Sequence, residues 1–149
     1  MSAAAGDGDL DAIERNLVAF VRAFGLHQPG VTPCGEPVPV SEAHALSELA
    51  TAGPLSQREL GERLGLTKGT VSRIVDLLAE RDWVRRARST DDARVVVVRL
   101  TTAGRAAARR LATRRRSRLG ELLDNLPAAD RRRVIDALAM LTEAARARP

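Results

Sequence analysis

The chain has 149 residues, 24 of them basic and 19 acidic for a formal charge of +5, which bounds it to one compact domain or one domain with dimerisation arms. Phe20, Phe24 and Trp83 are its only aromatics, so the core must be aliphatic and there is no platform for stacking single-stranded bases. It has no run of 18 apolar residues, no basic and apolar leader at its N-terminus, and one cysteine, which together point to a cytoplasmic protein with no membrane partner and no disulfide framework.

The charge is segregated. Residues 1–55 carry 2 basic and 7 acidic side chains, residues 56–104 carry 10 and 7, and residues 105–149 carry 12 and 5. An acidic arm ahead of a basic remainder suits a module that faces phosphates and keeps a separate face for a protein partner.

Residues 1–8 are small and polar and read as a disordered lead. A helix is expected over Asp9–Phe24, with Leu10, Ile13, Leu17, Phe20, Val21 and Phe24 on one face, Asp9 and Asp11 near its positive end, and Gly25 ending it. Residues 26–40 hold four of the seven prolines and two glycines, an extended connection. Ser41 is expected to cap a helix through Ala52, with Ala43, Leu46, Leu49 and Ala50 on its apolar side.

Ser56-Gln57-Arg58-Glu59 is a capping box, in which the Ser56 hydroxyl accepts from the Glu59 N–H and the Glu59 carboxylate accepts from the Ser56 N–H. Leu60 and Leu64 share a face of the short helix it starts, and Gly65 is placed to end that helix in a left-handed conformation. Thr67 then caps a second helix, where Val71, Ile74, Val75 and Leu78 form a stripe that must be buried. The opposite face carries Lys68, Gly69, Thr70, Ser72, Arg73 and Asp76, cations and short hydrogen-bonding residues concentrated in the first two turns. Such a helix can bury one side on its partner and lay the other in a DNA major groove. Taken alone, it reads equally well as an ordinary solvent-exposed amphipathic helix.

The next segment shifts the weight. Val84 to Arg88, a polar Asp91-Asp92 turn and the run Val95 to Leu100 read as a two-stranded hairpin. Arg85, Arg86, Arg88 and Arg94 crowd into it; an arginine on a slender hairpin beside such a helix can enter the adjacent minor groove, the plainer alternative being charge that protects a strand edge. Thr101 caps a long helix to about Asn125 with Ala107, Ala108, Leu111, Ala112, Leu119, Leu122 and Leu123 on one side. Pro127 opens a last helix, Ala128 to about Arg146, whose apolar side is Val134, Ile135, Leu138, Met140 and Leu141. The first and last helices cannot both be covered within one chain of this size, so a homodimer is inferred.

The stretch LSQRELGERLGLTKGTVSRIVDLLAERDWVRRARSTDDARVVVVRLTTAG closely resembles the MarR family of bacterial transcription regulators. The likeness rests on the Leu-Ser-Gln cap, the Thr-Val-Ser-Arg helix, the Asp92-Ala93-Arg94 wing, and Leu100-Thr101 followed by Gly104. It implies a mainly α fold with a small β-hairpin wing, a winged helix-turn-helix with N- and C-terminal dimerisation helices. Along the chain this gives an N-terminal helix and connection over residues 9–40, a DNA-binding domain over 41–104 and C-terminal dimerisation helices over 105–149. The resemblance further implies that the wing arginine, Arg94, sits in the minor groove and that Asp92 orients it. Gly69 departs from the family, which more often has a helix former there; glycine costs roughly 1 kcal/mol against alanine but permits closer backbone approach to DNA.

The expected function is therefore that of a transcriptional regulator, expected to repress, binding double-stranded DNA as a homodimer on a pseudo-palindromic operator and released by a small-molecule, redox or metal signal. Lys68, Thr70, Ser72 and Arg73 are the candidate groove contacts, supported by Thr67 and Gly69; Arg94 with Asp92 forms the wing contact; Ser56 and Arg86 are candidates for the DNA backbone. The run Arg114-Arg115-Arg116-Ser117-Arg118 reads as a solvated or acid-pairing face rather than a phosphate patch. Between His27 and His44 lie Cys34, Glu36 and Glu42, a stretch with three readings: plain packing, a thiol switch at Cys34, or a metal sensor using Cys34 and His44 with Glu42. No resident cofactor is expected beyond that candidate metal ion, because the spacing matches no closed zinc motif. Neither a nucleophile with its acid partner nor a phosphate loop is present, so an enzyme is not expected. The remaining alternatives are an architectural protein binding DNA through charge alone, and a dedicated thiol or metal sensor.

Overall fold

The computed structural model describes residues 6–147 of the chain. They form α1 (Asp7–Phe24), α2 (Val40–Ala52), α3 (Gln57–Leu64), α4 (Lys68–Glu80), β1 (Val84–Arg88), β2 (Val96–Leu100), α5 (Thr102–Asp124) and α6 (Ala128–Arg146). Two compact units share them, Met1–Arg114 and Arg115–Pro149, with the division falling inside α5.

In the first unit α1 starts at Asp7, two residues sooner than its acidic pattern suggests, so Asp7 and Gly8 are helical rather than part of a disordered lead; residues 1–5 of that expected lead lie outside the described residues. Gly25 ends the helix at φ 90°, its N–H bonding to the carbonyls of Val21 and Arg22. None of the described residues of α1 is buried, and Leu10, Ile13, Leu17 and Phe20 are exposed along it.

The core sits in the middle of the sequence. Ala43, Ala45, Leu46 and Leu49 of α2, Leu60 of α3, the whole α4 stripe Val71, Ile74, Val75 and Leu78, Val84 and Val98 of the hairpin, and Ala107, Ala108 and Leu111 of α5 pack into one cluster. Burying each of the larger aliphatic side chains contributes about 1.5–3 kcal/mol, so the α4 stripe alone secures that helix. Two local details depart from expectation. Ser41 does not cap α2: the cap is Pro39, one residue before the helix, and makes no side-chain bond. Ala45 rather than Ala50 completes the buried side of α2.

The hairpin pairs antiparallel with Val84 opposite Leu100, Arg85 opposite Arg99 and Arg86 opposite Val98. Leu55, just before α3, bridges to Val98 through N–H···O bonds of 3.1 and 2.7 Å, adding a third short rung to the sheet. The hairpin is also tied to α5. Asp82 turns the chain at φ 57°, Thr101 Oγ1 donates to the Asp82 carbonyl and its N–H donates to that of Trp83 at 3.0 Å. Gly104 comes next, in such close contact that a Cβ there would lie 1.8 Å from the Trp83 carbonyl oxygen. Only glycine lets the first turn of α5 rest on that backbone.

The second unit holds the end of α5 and α6, which Pro127 precedes. Its surface is laced with ion pairs, Arg131 to Asp124, Arg132 to Asp136 and Arg133 to Asp130. None of the described residues of α6 is buried; Ile135, Leu138, Met140 and Leu141 are exposed. Among the described residues no helix is long and apolar enough to cross a membrane.

Candidate nucleic-acid interface

The site is built from the turn between α3 and α4. The Ser56 capping box is present in full: the Ser56 N–H donates to Glu59 Oε2 at 2.7 Å and Ser56 Oγ accepts from the Glu59 N–H at 3.2 Å. The Ser56 N–H foremost, and the Ser56 hydroxyl donating to the same Oε2 at 2.8 Å, hold the Glu59 carboxyl below its ordinary range. Gly65 turns at φ 65°, and Gly61 sits against Leu66 and Val71, where a Cβ would come within 3.2 Å of both. The two helices therefore cross closely and α4 projects its opposite side outward.

Thr67 caps α4, its Oγ1 accepting from the Thr70 N–H at 3.4 Å and sharing a 2.9 Å bond with Thr70 Oγ1. Lys68, Gly69, Thr70 and Arg73 are exposed and Ser72 is half-buried. Beyond its chain neighbours and the backbone of α4 itself, nothing among the described residues lies within 4 Å of where a Gly69 Cβ would be, so the glycine answers no internal crowding. It leaves open space at the first turn of a helix whose orphan N–H groups favour anions.

At the wing tip Asp92 Oδ1 accepts from the Arg94 N–H at 3.0 Å and from Arg94 Nε at 3.2 Å, and Oδ2 accepts from Nη2 at 3.4 Å. These bonds, led by the backbone one, hold the Asp92 carboxyl below its usual range. Arg94 remains 92% exposed, so the pair does little for stability and serves to set the direction of the guanidinium. Arg88 Nη1 bonds the Ala93 carbonyl at 2.9 Å, and Ser89 and Val95 close the turn beneath it.

Arg86 and Ser56 have internal work. Arg86 Nη2 donates to Asp76 Oδ1 at 2.7 Å and Nε to Gln57 Oε1 at 3.1 Å, bridging the wing to both helices; a phosphate contact would have to use its remaining donors. Ser56 Oγ is engaged twice by Glu59. Sequence spacing does not single out Gln57, since it lies 29 residues from Arg86 and only the folded hairpin brings them together.

The connection before α2 is ordered as a tight turn. Thr32 N–H donates to the Glu36 carbonyl at 2.9 Å, Thr32 Oγ1 accepts from the Glu36 N–H at 3.1 Å, and Thr32 Oγ1 lies 3.0 Å from the half-buried Cys34 Sγ. Glu36 is buried and paired with Arg110 Nε at 3.5 Å and Arg114 Nε at 2.7 Å, so Arg114 does face an acid, one in its own chain. His27 and His44 are exposed. Among the described residues no three of His, Cys, Asp and Glu stand together in a way that could hold a metal ion, so Cys34, Glu42 and His44 are not gathered into a site.

Glu42 is instead buried against the C-terminal end of α4. Arg81 Nε lies 3.3 Å from its Oε2 while the Arg81 guanidinium stacks 5.1 Å over the Trp83 ring. That approach lacks hydrogen-bond geometry, leaving Oε2 without a hydrogen bond. Burial raises the Glu42 pKa, and the Arg81 charge only partly opposes it.

A sequence profile of the MarR family matches residues 37–95. The chain is 34% identical over 96 residues to an uncharacterised helix-turn-helix transcriptional regulator of Bacillus subtilis (strain 168), YcgE, an alignment spanning 60% of this chain and 60% of that relative. A second regulator of the same organism, YdgJ, is 31% identical over 68% of this chain and 62% of its own length, so the chain spans a little under two thirds of the curated relatives it matches. Among solved structures, a probable transcriptional regulator from Pseudomonas aeruginosa is 26% identical with a TM-score of 0.72, over 88% of this chain and 97% of that one. The PcaV transcriptional regulator from Streptomyces coelicolor, solved with its natural ligand, is 28% identical with a TM-score of 0.67, over 97% and 99%.

Proposed function

Since the chain belongs to the MarR family of winged helix-turn-helix transcription regulators and not to an enzyme family, we propose that it is a cytoplasmic repressor that binds a pseudo-palindromic operator as a homodimer and leaves it on meeting an effector. The observation that carries this reading is the pairing of an exposed polar face on α4 with a wing arginine already aligned by Asp92. In it, residues 41–104 form the DNA-binding domain, and residues 9–40 and 105–149 supply the dimerisation helices.

The division of labour is chemical. Lys68, Thr70, Ser72 and Arg73 enter the major groove, the threonine and serine hydroxyls donating to or accepting from base edges and Arg73 suited to a bidentate guanine contact. The N–H groups at the first turn of α4, uncrowded at Gly69, receive a backbone phosphate. Arg94 enters the narrow, most negative part of the neighbouring minor groove. Arg86 braces wing against helix so that the two arrive together.

Dimerisation is supported by the apolar residues that α1 and α6 leave exposed, Leu10, Ile13, Leu17, Phe20, Ile135 and Leu138 among them. A monomer rarely keeps surface of that kind open, and covering each side chain contributes about 1.5–3 kcal/mol at most. A two-fold pair sets the recognition helices roughly 34 Å apart, one helical turn of DNA. Effector release is supported by the ligand that the similar PcaV regulator was solved with.

The deciding experiment is selection of bound duplexes from a random pool with the molecular mass measured by light scattering. The expected result is an inverted repeat bound by a dimer at least about 10³-fold more tightly than random duplex at physiological salt. Binding with no consensus would make the chain an architectural protein, and a persistent monomer would remove the two-fold geometry.

A further inference from the structure

The chain uses arginine 23 times and lysine once, at Lys68. The two side chains carry the same charge but not the same chemistry. A guanidinium keeps its proton and is no nucleophile, whereas a lysine amine can shed its proton and be acylated. The one nucleophilic side-chain amine of this chain is the first residue of α4. It is exposed, and among the described residues it has neither an ion pair nor a side-chain hydrogen bond. The first turn of α4 holds no acidic residue to pair with it, unlike those of α1, α2, α3 and α6.

There is also room to reach it. Lys68 borders a groove of about 530 Å³ that takes in Arg58, Gly61, Glu62, Gly65 and Leu66, and Gly69 beside it carries no side chain. Two cations stand in that groove against one carboxylate, and Arg58 is already paired with Glu62 at 2.9 Å. The charge left over for an incoming group is therefore that of the lysine amine, to which the exposed face of α4 adds Arg73. A surface of this sign concentrates anions, and acyl phosphates and coenzyme A thioesters are both polyanions.

We propose that Lys68 is a covalent modification site, its Nζ accepting an acyl group from an acyl phosphate or an acyl thioester. The unprotonated amine attacks the acyl carbonyl carbon, a C–N bond forms, and the C–O bond to phosphate or the C–S bond to sulfur breaks. The leaving group departs with that bonding pair, and the surplus amine proton passes to water. The product is a neutral amide, so position 68 loses its charge. The arginines are untouched, and the whole effect on side-chain cations falls on the one that opens α4. Under the operator-binding reading, on which this consequence rests, each protomer gives up one cation facing DNA, and the slope of affinity against salt falls by about one per protomer.

The test is incubation of the full chain with acetyl phosphate in one arm and acetyl-coenzyme A in the other, followed by intact mass and peptide mapping. Lys68 should acquire one acetyl group, resistant to hydroxylamine, at least about threefold faster than the side chain of Nα-acetyl-lysinamide, with the advantage lost at high salt. The donor that reacts identifies the source. Affinity for a duplex selected from a random pool is then measured before and after treatment. Acetylation should lower it about tenfold, and Lys68→Gln should reproduce that loss untreated. Lys68→Arg, whatever affinity it starts from, should show no change on treatment. Reaction no faster than that of the lysinamide with either donor would overturn the site. So would an equal loss of affinity in treated Lys68→Arg, which would put the effective acetyl group elsewhere. A chain acetylated at Lys68 that binds its operator as tightly as before would overturn the switch. A chain that binds no duplex in any state refutes the operator reading instead, and the reaction rates alone then decide the site.

Discussion

Arg86 Nη2 lies 2.7 Å from Asp76 Oδ1, and this contact joins the first strand of the wing to the middle of α4. It is half-exposed on both sides, where ion pairs contribute about 0–1 kcal/mol to stability. Its larger effect is geometric. In a double-mutant cycle of Arg86→Ala and Asp76→Ala, the coupling energy for unfolding should stay below about 1 kcal/mol, while each single change lowers operator affinity several-fold and the pair together costs little more than either. Additive losses in DNA affinity would show that the two residues act separately.

Arg94→Ala should weaken operator binding by about one to two powers of ten and flatten the dependence on salt, since one contact to the negative groove is gone. The melting temperature and the molecular mass in solution should not change, because Arg94 is almost wholly exposed. Fluorescence anisotropy at several salt concentrations measures both effects. Unaltered affinity would take the wing out of the reading mechanism.

Gly104→Ala should destabilise the fold by more than about 3 kcal/mol, in the range of severe overpacking. The added methyl meets the Trp83 carbonyl, part of the backbone, which cannot swing aside as a flexible side chain would. Urea unfolding followed by the fluorescence of the single tryptophan gives the answer. A loss below about 1 kcal/mol, ordinary for a point change, would mean that α5 can lift from the hairpin without penalty.

Glu42 gives a pH dependence whose sign is set by burial. Its folded pKa is raised, so protonation favours the folded state, and the stability associated with the proton is present below the unfolded pKa and lost as pH rises through the folded value. Glu42→Gln keeps the shape and removes the buried charge. The variant should therefore be at least as stable as the parent at neutral pH, with the difference shrinking as pH falls through the carboxylate range. A variant that is less stable at neutral pH by the roughly 3–5 kcal/mol typical of a broken buried pair would show that the attraction of Arg81 outweighs desolvation.

The helix-turn-helix is legible in the sequence because its signals are local. Ser56 with Glu59, Gly65, Thr67 and the Val71–Leu78 stripe all act within one or two helical turns, and each stands where its spacing implies. The hairpin is legible for the same reason, whereas the Asp92–Arg94 contact is legible through the family resemblance. Long-range partners are not. Nothing near Leu55 announces its bridge to Val98, and nothing near Glu36 announces Arg110 and Arg114, 74 and 78 residues along the chain. The start of α2 departs from the serine-cap expectation because Pro39 already fixes a backbone angle suited to the residue before a helix, making a serine cap unnecessary. The histidines, Cys34 and Glu42 look like a ligand set only because they are close in sequence; in space Glu42 faces Arg81 and Cys34 faces Thr32.

Gly69 gives the molecule an unusual freedom. Since no atom of the described residues beyond α4's own backbone occupies the room beside it, that position can accept a side chain without any internal readjustment, and alanine there would even favour the helix by roughly 1 kcal/mol. Under the DNA-reading role proposed for α4, changes at this one site redraw which operators are preferred while the scaffold stays indifferent, separating the evolution of target choice from the upkeep of the fold.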